Sequence, residues 1–175
     1  MNEMKKVLTI AGSDCSGGAG IQADIKTITA HKNVCNSAIT ALTAQNTTGV
    51  YGILDAGADF VGRQLDCIFQ DIYPDAVKIG MVANKEIIEM IAHKLVEYKA
   101  KNIVADPVMV STAGSRLMEE DAANTLIEKI IAISYSNYTK SSRSRSFMWL
   151  CYQDKRRLHK SSTDYFPKDT DCYFN

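Results

Sequence analysis

The sequence predicts an α/β fold in which a largely parallel sheet is covered by helices on both sides. Two observations predict it. Short apolar runs typical of strands alternate with segments of helical periodicity, and only a few residues connect one to the next. Right-handed crossovers then place successive strands in parallel, with the helices over the two faces. Ligands of such sheets gather at the carboxyl ends of the strands, so residues just after each strand are the functional candidates.

The first half of the chain predicts two strands and two helices. Val7–Ile10 is a short apolar run before a glycine turn, as in a buried strand, and Ser37–Ala44 is rich in small and β-branched residues. Gly20–His31 and Ala58–Ile72 show helical periodicity. The predicted buried stripes are Ile21, Ile25 and Ile28 in the first helix, and Phe60, Val61, Leu65, Ile68 and Phe69 in the second.

The next elements continue the alternation. Ala76–Met81 and Asn102–Val108 read as strands, and Glu119–Ile130 as a helix. Asn84 is a good N-cap for a further helix that runs to about Lys99. The predicted buried face of that helix is Ile87, Ile88, Ile91, Leu95 and Val96.

Composition indicates a soluble protein of the cytoplasm. The formal net charge is zero, which gives no electrostatic reason to expect nucleic acid or an anionic membrane as partner. No apolar run approaches the roughly 18 residues of a membrane span, and the one near the N-terminus is too short for a signal peptide. Five scattered cysteines without a CxxC pair suit a reducing compartment.

The overall composition averages two parts of the chain that differ in glycine content and in charge. All ten glycines lie at or before Gly114, so residues 131–175 contain none. Residues 1–130 carry 12 basic and 16 acidic side chains, whereas the remaining 45 carry 8 and 4. We therefore treat 1–130 as the folded domain and 131–175 as a separate tail.

The strongest local motif is AGSDCSGGAGIQAD, residues 11–24. Its glycines allow a tight turn and a close ligand approach directly before a helix N-terminus. The spacing is neither GxxxxGK[ST] nor GxGxxG, so it is not a known phosphate loop. Taken alone, such a turn is as often a simple connection as a ligand site.

Three polar residues are candidates, each with a structural role that is as plausible as the functional one or more so. Gln45 follows a strand, and its amide could pair with an aminopyrimidine edge, although most loop glutamines are merely solvated. Asp24 lies on the first helix, where an aspartate is usually solvated. Asp106 ends a strand, where a carboxylate could hold magnesium or simply stabilise a turn. The three histidines have no partner at metal-ligand spacing.

Four segments in order resemble the hydroxymethylpyrimidine/phosphomethylpyrimidine kinases of the ribokinase-like superfamily. They are VLTIAGSDCSGGAGIQADIKT, AITALTAQNTTGV, VKIGM and VADPVMVSTAGSRL. The similarity runs from Lys5 to Lys129, and the combination is highly specific. The resemblance implies a three-layer αβα ribokinase-like fold that is incomplete after about residue 130.

The resemblance also implies a reaction and a site. The family phosphorylates 4-amino-5-hydroxymethyl-2-methylpyrimidine and its monophosphate with ATP and Mg²⁺, and its members are commonly homodimers. Gln45 would read the amino edge of the pyrimidine, and Asp106 would lie near the magnesium and the triphosphate. The glycine-rich loop would serve the pyrimidine rather than ATP. The residues expected to line the substrate pocket with Gln45 are Gly12, Ala19, Asp24, Met81 and Val108.

Two family elements are absent from this sequence: an Asn-x-x-Glu motif after the next strand, and a later glycine-rich anion loop that holds the catalytic cysteine. We therefore expect activity near background. A one-nucleotide frame change near Lys129–Ile131 accounts for their absence. Permitted codons for Ile131–Trp149 can be chosen so that, when they are read one base further on, they encode LPLVTVITPNLPEAEVLCG. That sequence is a strand followed by the missing motif. Out-of-frame residues should not complete the sheet.

Two other functions remain open at this point. Pyridoxine is a similar hydroxymethyl heteroaromatic, so the chain could derive from a pyridoxal kinase. Alternatively, it could be a non-catalytic half-domain that only binds the pyrimidine.

Overall fold

A computed structural model describes residues 4–106, 120–134 and 136–137, and its strands form a single six-stranded sheet. The strands are β1 (Lys6–Asp14), β2 (Val34–Asn46), β3 (Gly49–Asp55), β4 (Ala76–Ile79), β5 (Ile103–Ala105) and β6 (Ser136–Asn137). Their order across the sheet is β3-β2-β1-β4-β5-β6. Every neighbouring pair is parallel except β2 and β3, so the prediction of a largely parallel sheet is confirmed.

Four α-helices connect or follow these strands. They are α1 (Gly20–Ala30), α2 (Ala58–Asp71), α3 (Lys85–Glu97) and α4 (Glu120–Thr125). The last continues as a π-helical segment, Leu126–Ile130, and a 3₁₀ turn, Ile131–Ile133. Asn84 caps α3 as predicted, because its Oδ1 accepts hydrogen bonds from the backbone N–H of Glu86 at 2.9 Å and of Ile87 at 3.3 Å.

The alternating side chains of β1 show that helices cover both faces of the sheet. Successive side chains of a strand point to opposite sides. Leu8 and Ile10 lie fully buried in the core cluster that includes α2 and α3, whereas Thr9 hydrogen-bonds Asp24 of α1. Helix α1 therefore lies on one face, and α2 and α3 lie on the other. This arrangement confirms the predicted layers.

The core lies between the sheet and the helices α2, α3 and α4. Leu65 and Phe69 of α2 pack there with a row of α3 residues. At the C-terminal ends of α2 and α3, the ring of Phe69 stacks on Tyr98 with centroids 4.9 Å apart and meets Tyr73 edge-on at 5.4 Å. The α3 residues buried in the core are Ile87, Ile88, Ile91, Ala92 and Leu95.

Three members of the predicted apolar stripes are exposed. Phe60 is 59% exposed, Val96 63% and Ile25 38%. At about 3.6 residues per turn, Val96 stands roughly a third of a turn from the centre of the buried row of α3, and Phe60 nearly half a turn from that of α2, so the stripes are narrower than predicted. In α1 the cause is different, because the α1 face of the sheet carries polar side chains and buries only Ile21 of that helix.

Strand β3 was not predicted. It forms an antiparallel hairpin with β2, in which Leu42 lies opposite Leu54. Most side chains of β3 are exposed. Two glycines, Gly49 and Gly52, interrupt its apolar pattern and weaken the strand signal. The turn-forming run Asn46–Gly49 before a β-branched and aromatic segment was the available signal.

The sheet also extends past the predicted boundary at residue 130. Val104 and Ala105 of β5 pair in parallel with Ser136 and Asn137. Two residues after 130 therefore join the edge of the sheet, a pairing that the expectation of an incomplete sheet did not anticipate. The frame change and the boundary itself stay predictions, and residues 138–175 lie outside the described part. Within that part, no helix is both long and apolar enough to cross a membrane.

Candidate substrate site at the carboxyl ends of the strands

Strands β1, β2 and β4 end together at one edge of the sheet, and three predicted site residues lie there. Gly12 of β1 is buried against Met81, which follows β4: a Cβ on Gly12 would lie 3.0 Å from the Met81 Cε. The hydroxyl of Thr40 on β2 donates a hydrogen bond to the Met81 carbonyl at 3.0 Å. This bond fixes the exit of β4 against β2 and holds Met81 over Gly12.

The glycine-rich loop, residues 12–20, folds around the carboxylate of Asp14. One oxygen accepts hydrogen bonds from the backbone N–H and the hydroxyl of Ser16, at 2.8 and 2.7 Å. The other accepts from the backbone N–H of Gly18 at 3.1 Å and of Ala19 at 2.8 Å. Burial acts to raise the pKa of Asp14, but these hydrogen bonds together outweigh it and hold that pKa below its ordinary value.

A second set of contacts joins the loop to α1. The Gln22 Oε1 accepts from the Asp14 backbone N–H at 2.9 Å, and its Nε2 donates to the Ser13 hydroxyl at 2.7 Å. Gly20 has a φ of +57°, and a Cβ there would lie 2.3 Å from the Gly12 carbonyl oxygen. A side chain at position 20 would thus collide with backbone, so the close approach of loop to strand requires glycine.

Gln45 contacts the loop from β2. Its backbone N–H donates to the Cys15 Sγ at 3.3 Å, and the thiol donates to the Gln45 carbonyl at 3.0 Å. The side-chain Oε1 of Gln45 accepts from Thr43, whose hydroxyl also donates to the Ser13 carbonyl at 2.9 Å. Within the described residues the Gln45 Nε2 donates no hydrogen bond. An amide with one donor group and a second acceptor lone pair still to satisfy can pair with a heteroaromatic edge.

Asp24 is paired with protein groups, contrary to the simple solvated role considered from sequence. Its Oδ2 accepts from the Thr9 hydroxyl at 2.5 Å and from the Lys78 ammonium at 2.8 Å. The side chains of Lys78 and Asp24 are only 28% and 18% exposed. This ion pair lies between α1 and the sheet. Burial, with the nearby negative charge of Asp24, raises the pKa of the Cys35 thiol on the same face.

Asp106 follows β5 at the same edge of the sheet. Its backbone N–H donates to the Ile79 carbonyl at 2.8 Å, and its side chain is half-buried. Among residues 4–106, 120–134 and 136–137, no group of three or more His, Cys, Asp or Glu side chains could hold a metal ion. Val108 and the Ser111–Gly114 segment lie outside the described residues.

The structure thus brings Gly12, Gln45 and Met81 to one edge with the glycine-rich loop. Ala19 is exposed on that loop, and Asp24 is held on the α1 face by Lys78. Sequence reasoning missed the supporting residues Asp14 and Lys78. The run Asp-Cys-Ser-Gly after a strand is a turn signal that points to Asp14, whereas a lysine inside an apolar strand gives only a weak hint of a buried partner.

Comparison with known proteins identifies the family of the chain. The family described as phosphomethylpyrimidine kinase matches residues 14–135. The chain is 47% identical over 131 residues to the hydroxymethylpyrimidine/phosphomethylpyrimidine kinase of Bacillus subtilis, which covers 75% of this chain and 48% of that protein. The chain therefore spans about half the length of that curated relative.

Solved structures show the same fold. A phosphomethylpyrimidine kinase from Clostridium difficile superposes with a TM-score of 0.72 at 47% identity, over 76% of this chain and 58% of that one. A pyridoxal kinase from Staphylococcus aureus, in complex with AMP-PCP and pyridoxal, gives a TM-score of 0.69 at 32% identity, over 79% of this chain and 49% of that one. The ribokinase-like α/β fold predicted from the sequence is confirmed.

Proposed function

This chain belongs to the phosphomethylpyrimidine kinase family, and we propose that its described residues form the part that recognises the hydroxymethylpyrimidine. The observation that carries the proposal is the convergence of Gln45, Gly12 and Met81 beside a loop that internal hydrogen bonds hold in place. A flat heteroaromatic needs a slot with apolar walls and one amide edge, and these residues supply both.

The reaction proposed for the family's complete domain is phosphorylation of the hydroxymethyl oxygen, and then of the resulting monophosphate. Within this scheme Gln45 binds the amino edge of the ring and so orients the hydroxymethyl group, while Met81 and Gly12 exclude water from its faces. Ala19, Asp24 and Val108 are proposed to complete the pocket. Asp24 would contribute a carboxylate that Lys78 keeps in a fixed position.

ATP and Mg²⁺ are the proposed co-substrate and cation. The described residues fit them only in part, because Asp106 lies at the strand edge but the other carboxylate there, Asp14, already accepts four hydrogen bonds, and the described residues hold no cluster that would bind a metal alone. Magnesium commonly uses one or two carboxylates together with the phosphates of its nucleotide, so a single aspartate is compatible with that mode. The cation would neutralise charge on the transferred phosphoryl group.

We propose that the 175-residue chain transfers phosphate at no more than background rate. The sequence has no glycine after Gly114, so it contains no glycine-rich anion loop to stabilise the charge that develops during transfer. The contacts proposed for the pyrimidine all lie outside that loop. We therefore expect this chain to bind the pyrimidine without phosphorylating it at an appreciable rate.

Isothermal titration calorimetry tests the proposal on the 175-residue chain with hydroxymethylpyrimidine, pyridoxal and ATP as separate titrants. We expect hydroxymethylpyrimidine to bind and pyridoxal to bind more weakly, since the identity to the phosphomethylpyrimidine kinase structure is 47% and to the pyridoxal kinase only 32%. Tighter binding of pyridoxal would assign the chain to the other substrate class. Lack of binding by either ring would refute a substrate-recognising part.

A matched pair of glutamine variants locates the site. Gln45→Leu removes the amide from the proposed pocket and should weaken hydroxymethylpyrimidine binding by roughly 10-fold, as for the loss of one or two good hydrogen bonds. Gln70→Leu removes an exposed amide whose Nε2 donates to the Tyr98 hydroxyl on the α2–α3 side, and it should leave binding unchanged. Equal effects of the two variants would contradict the assignment of Gln45.

A further inference from the structure

Asp14 is nearly buried, with 4% of its surface exposed, and four donors surround its carboxylate. These hydrogen bonds explain why a charged carboxylate can remain buried there. A buried charge is costly unless hydrogen bonds satisfy it, and here both oxygens accept two. The same bonds keep its pKa low, so the group is an acceptor at neutral pH.

An asparagine could not replace this carboxylate. Its amide has the same shape, but one of the two terminal atoms becomes an NH₂ donor. If the NH₂ group faced Gly18 and Ala19 it would meet two backbone donors, and if it faced Ser16 it would meet one backbone donor and a hydroxyl that can turn to accept. One or two hydrogen bonds would be lost in either orientation, and one side of the loop would be loosened.

Contacts of the loop link Asp14 to residues of the proposed pocket. The Ala19 N–H is bonded to the carboxylate directly. Cys15 is the next residue after Asp14, and it exchanges two hydrogen bonds with the backbone of Gln45. Gly12 is held from the far end of the loop, because Gly20 packs against its carbonyl.

We propose that Asp14 is a positioning residue of the substrate site, whose carboxylate fixes the loop so that Ala19 keeps its place and Cys15 stays against the backbone of Gln45. This inference rests on the proposed function for its effect on the pyrimidine. Its effect on the loop itself does not depend on that function, and the two are measured separately.

The first measurement is the affinity of Asp14→Asn for hydroxymethylpyrimidine, by calorimetry on the 175-residue chain. We expect a loss of about 10-fold, the effect of one or two hydrogen bonds that shape a site. The matched control is Asp75→Asn, the same change at the opposite end of β1, where the carboxylate accepts from the Lys6 backbone N–H at 2.8 Å. That variant should bind as the parent does.

The second measurement is the alkylation rate of Cys15 by iodoacetamide, resolved by peptide mass spectrometry, with exposed Cys67 on α2 as internal reference. Asp14→Asn should raise the Cys15 to Cys67 ratio several-fold, because the thiol leaves its bonds to Gln45. Asp75→Asn should not change it. A general loss of stability would raise the labelling of both thiols together.

Parental affinity together with a parental Cys15 ratio in Asp14→Asn would overturn the inference. If the parent chain binds no pyrimidine, the proposed function fails and the labelling ratio alone decides the role of Asp14. If Asp14→Asn does not fold, Ser16→Ala takes its place, since it removes one of the four bonds at an exposed residue. A raised Cys15 ratio in Ser16→Ala then supports the inference, and an unchanged ratio overturns it.

Discussion

On the face of the sheet covered by α2 and α3, Leu8, Val77 and Ile79 are buried among other apolar side chains. On the α1 face, the alternate positions of the same strands carry Thr9 and Lys78, which bond Asp24. Apolar burial supplies stability with little directional preference, whereas hydrogen bonds and ion pairs fix the relative positions of the groups that form them. The apolar face therefore holds the fold together, and the polar face and its adjoining loop define the geometry of the site.

The largest expected effect is on the apolar face. Leu65→Ala removes a fully buried side chain of α2 and should lower the free energy of unfolding by about 2–5 kcal/mol, through lost transfer energy and the cavity left behind. Urea unfolding followed by circular dichroism measures this. Val96→Ala is the control, since that side chain is 63% exposed, and it should stay within about 0.5 kcal/mol of the parent. Similar losses in both would break the comparison.

An intermediate effect is expected in the loop. Gly20→Ala adds a Cβ 2.3 Å from the Gly12 carbonyl oxygen at a φ of +57°, so we expect a loss of at least about 2 kcal/mol and a weakened pyrimidine site. Gly17→Ala is matched: its φ is +78°, but the nearest atom is Nζ at the end of the long Lys26 side chain, at 3.3 Å. It should cost about 1 kcal/mol from conformation alone. Equal losses in unfolding experiments would show that the backbone contact contributes nothing.

The smallest effect concerns a polar cluster at the rim of the apolar side. Asp66 accepts hydrogen bonds from Lys94 and from the Tyr98 hydroxyl, both at 2.8 Å, and these bonds lower its pKa. A lowered pKa gives stability that is present above about pH 4 and lost as the pH falls through the folded-state value. Asp66→Asn should therefore destabilise slightly at pH 7, and its difference from the parent should shrink as the pH is lowered below about 4, measured by thermal unfolding at a series of pH values. A difference that stays constant down to the lowest pH would exclude this ionic origin.

Most of the fold could be predicted because its signals are local and periodic. The row of isoleucines in α3 and the cap at Asn84 each follow from spacing and side-chain chemistry within a few residues. The hairpin strand β3 could not, because its exposed edge carries no clear alternation and its pairing depends on β2. The pairing of β6 likewise depends on β5, some 30 residues earlier in the chain.

The candidate site was predictable only through the family resemblance. Gln45 alone is an ordinary loop glutamine, and nothing near it in sequence indicates that Cys15 lies against its backbone. The ion pair of Asp24 with Lys78 joins residues 54 positions apart, a distance at which composition and spacing carry no information. Positions fixed by long-range polar contacts need the folded structure to be recognised.

The stacked rings of Phe69 and Tyr98 give the protein an optical signal of its own. Tyrosine and phenylalanine rings that are held rigidly in a folded protein give a near-ultraviolet circular dichroism signal, whereas freely rotating rings do not. Because this pair bridges the ends of two helices, its band would vanish when those helices part, even if each stayed helical. Loss of tertiary docking can thus be told from loss of secondary structure without attaching any dye.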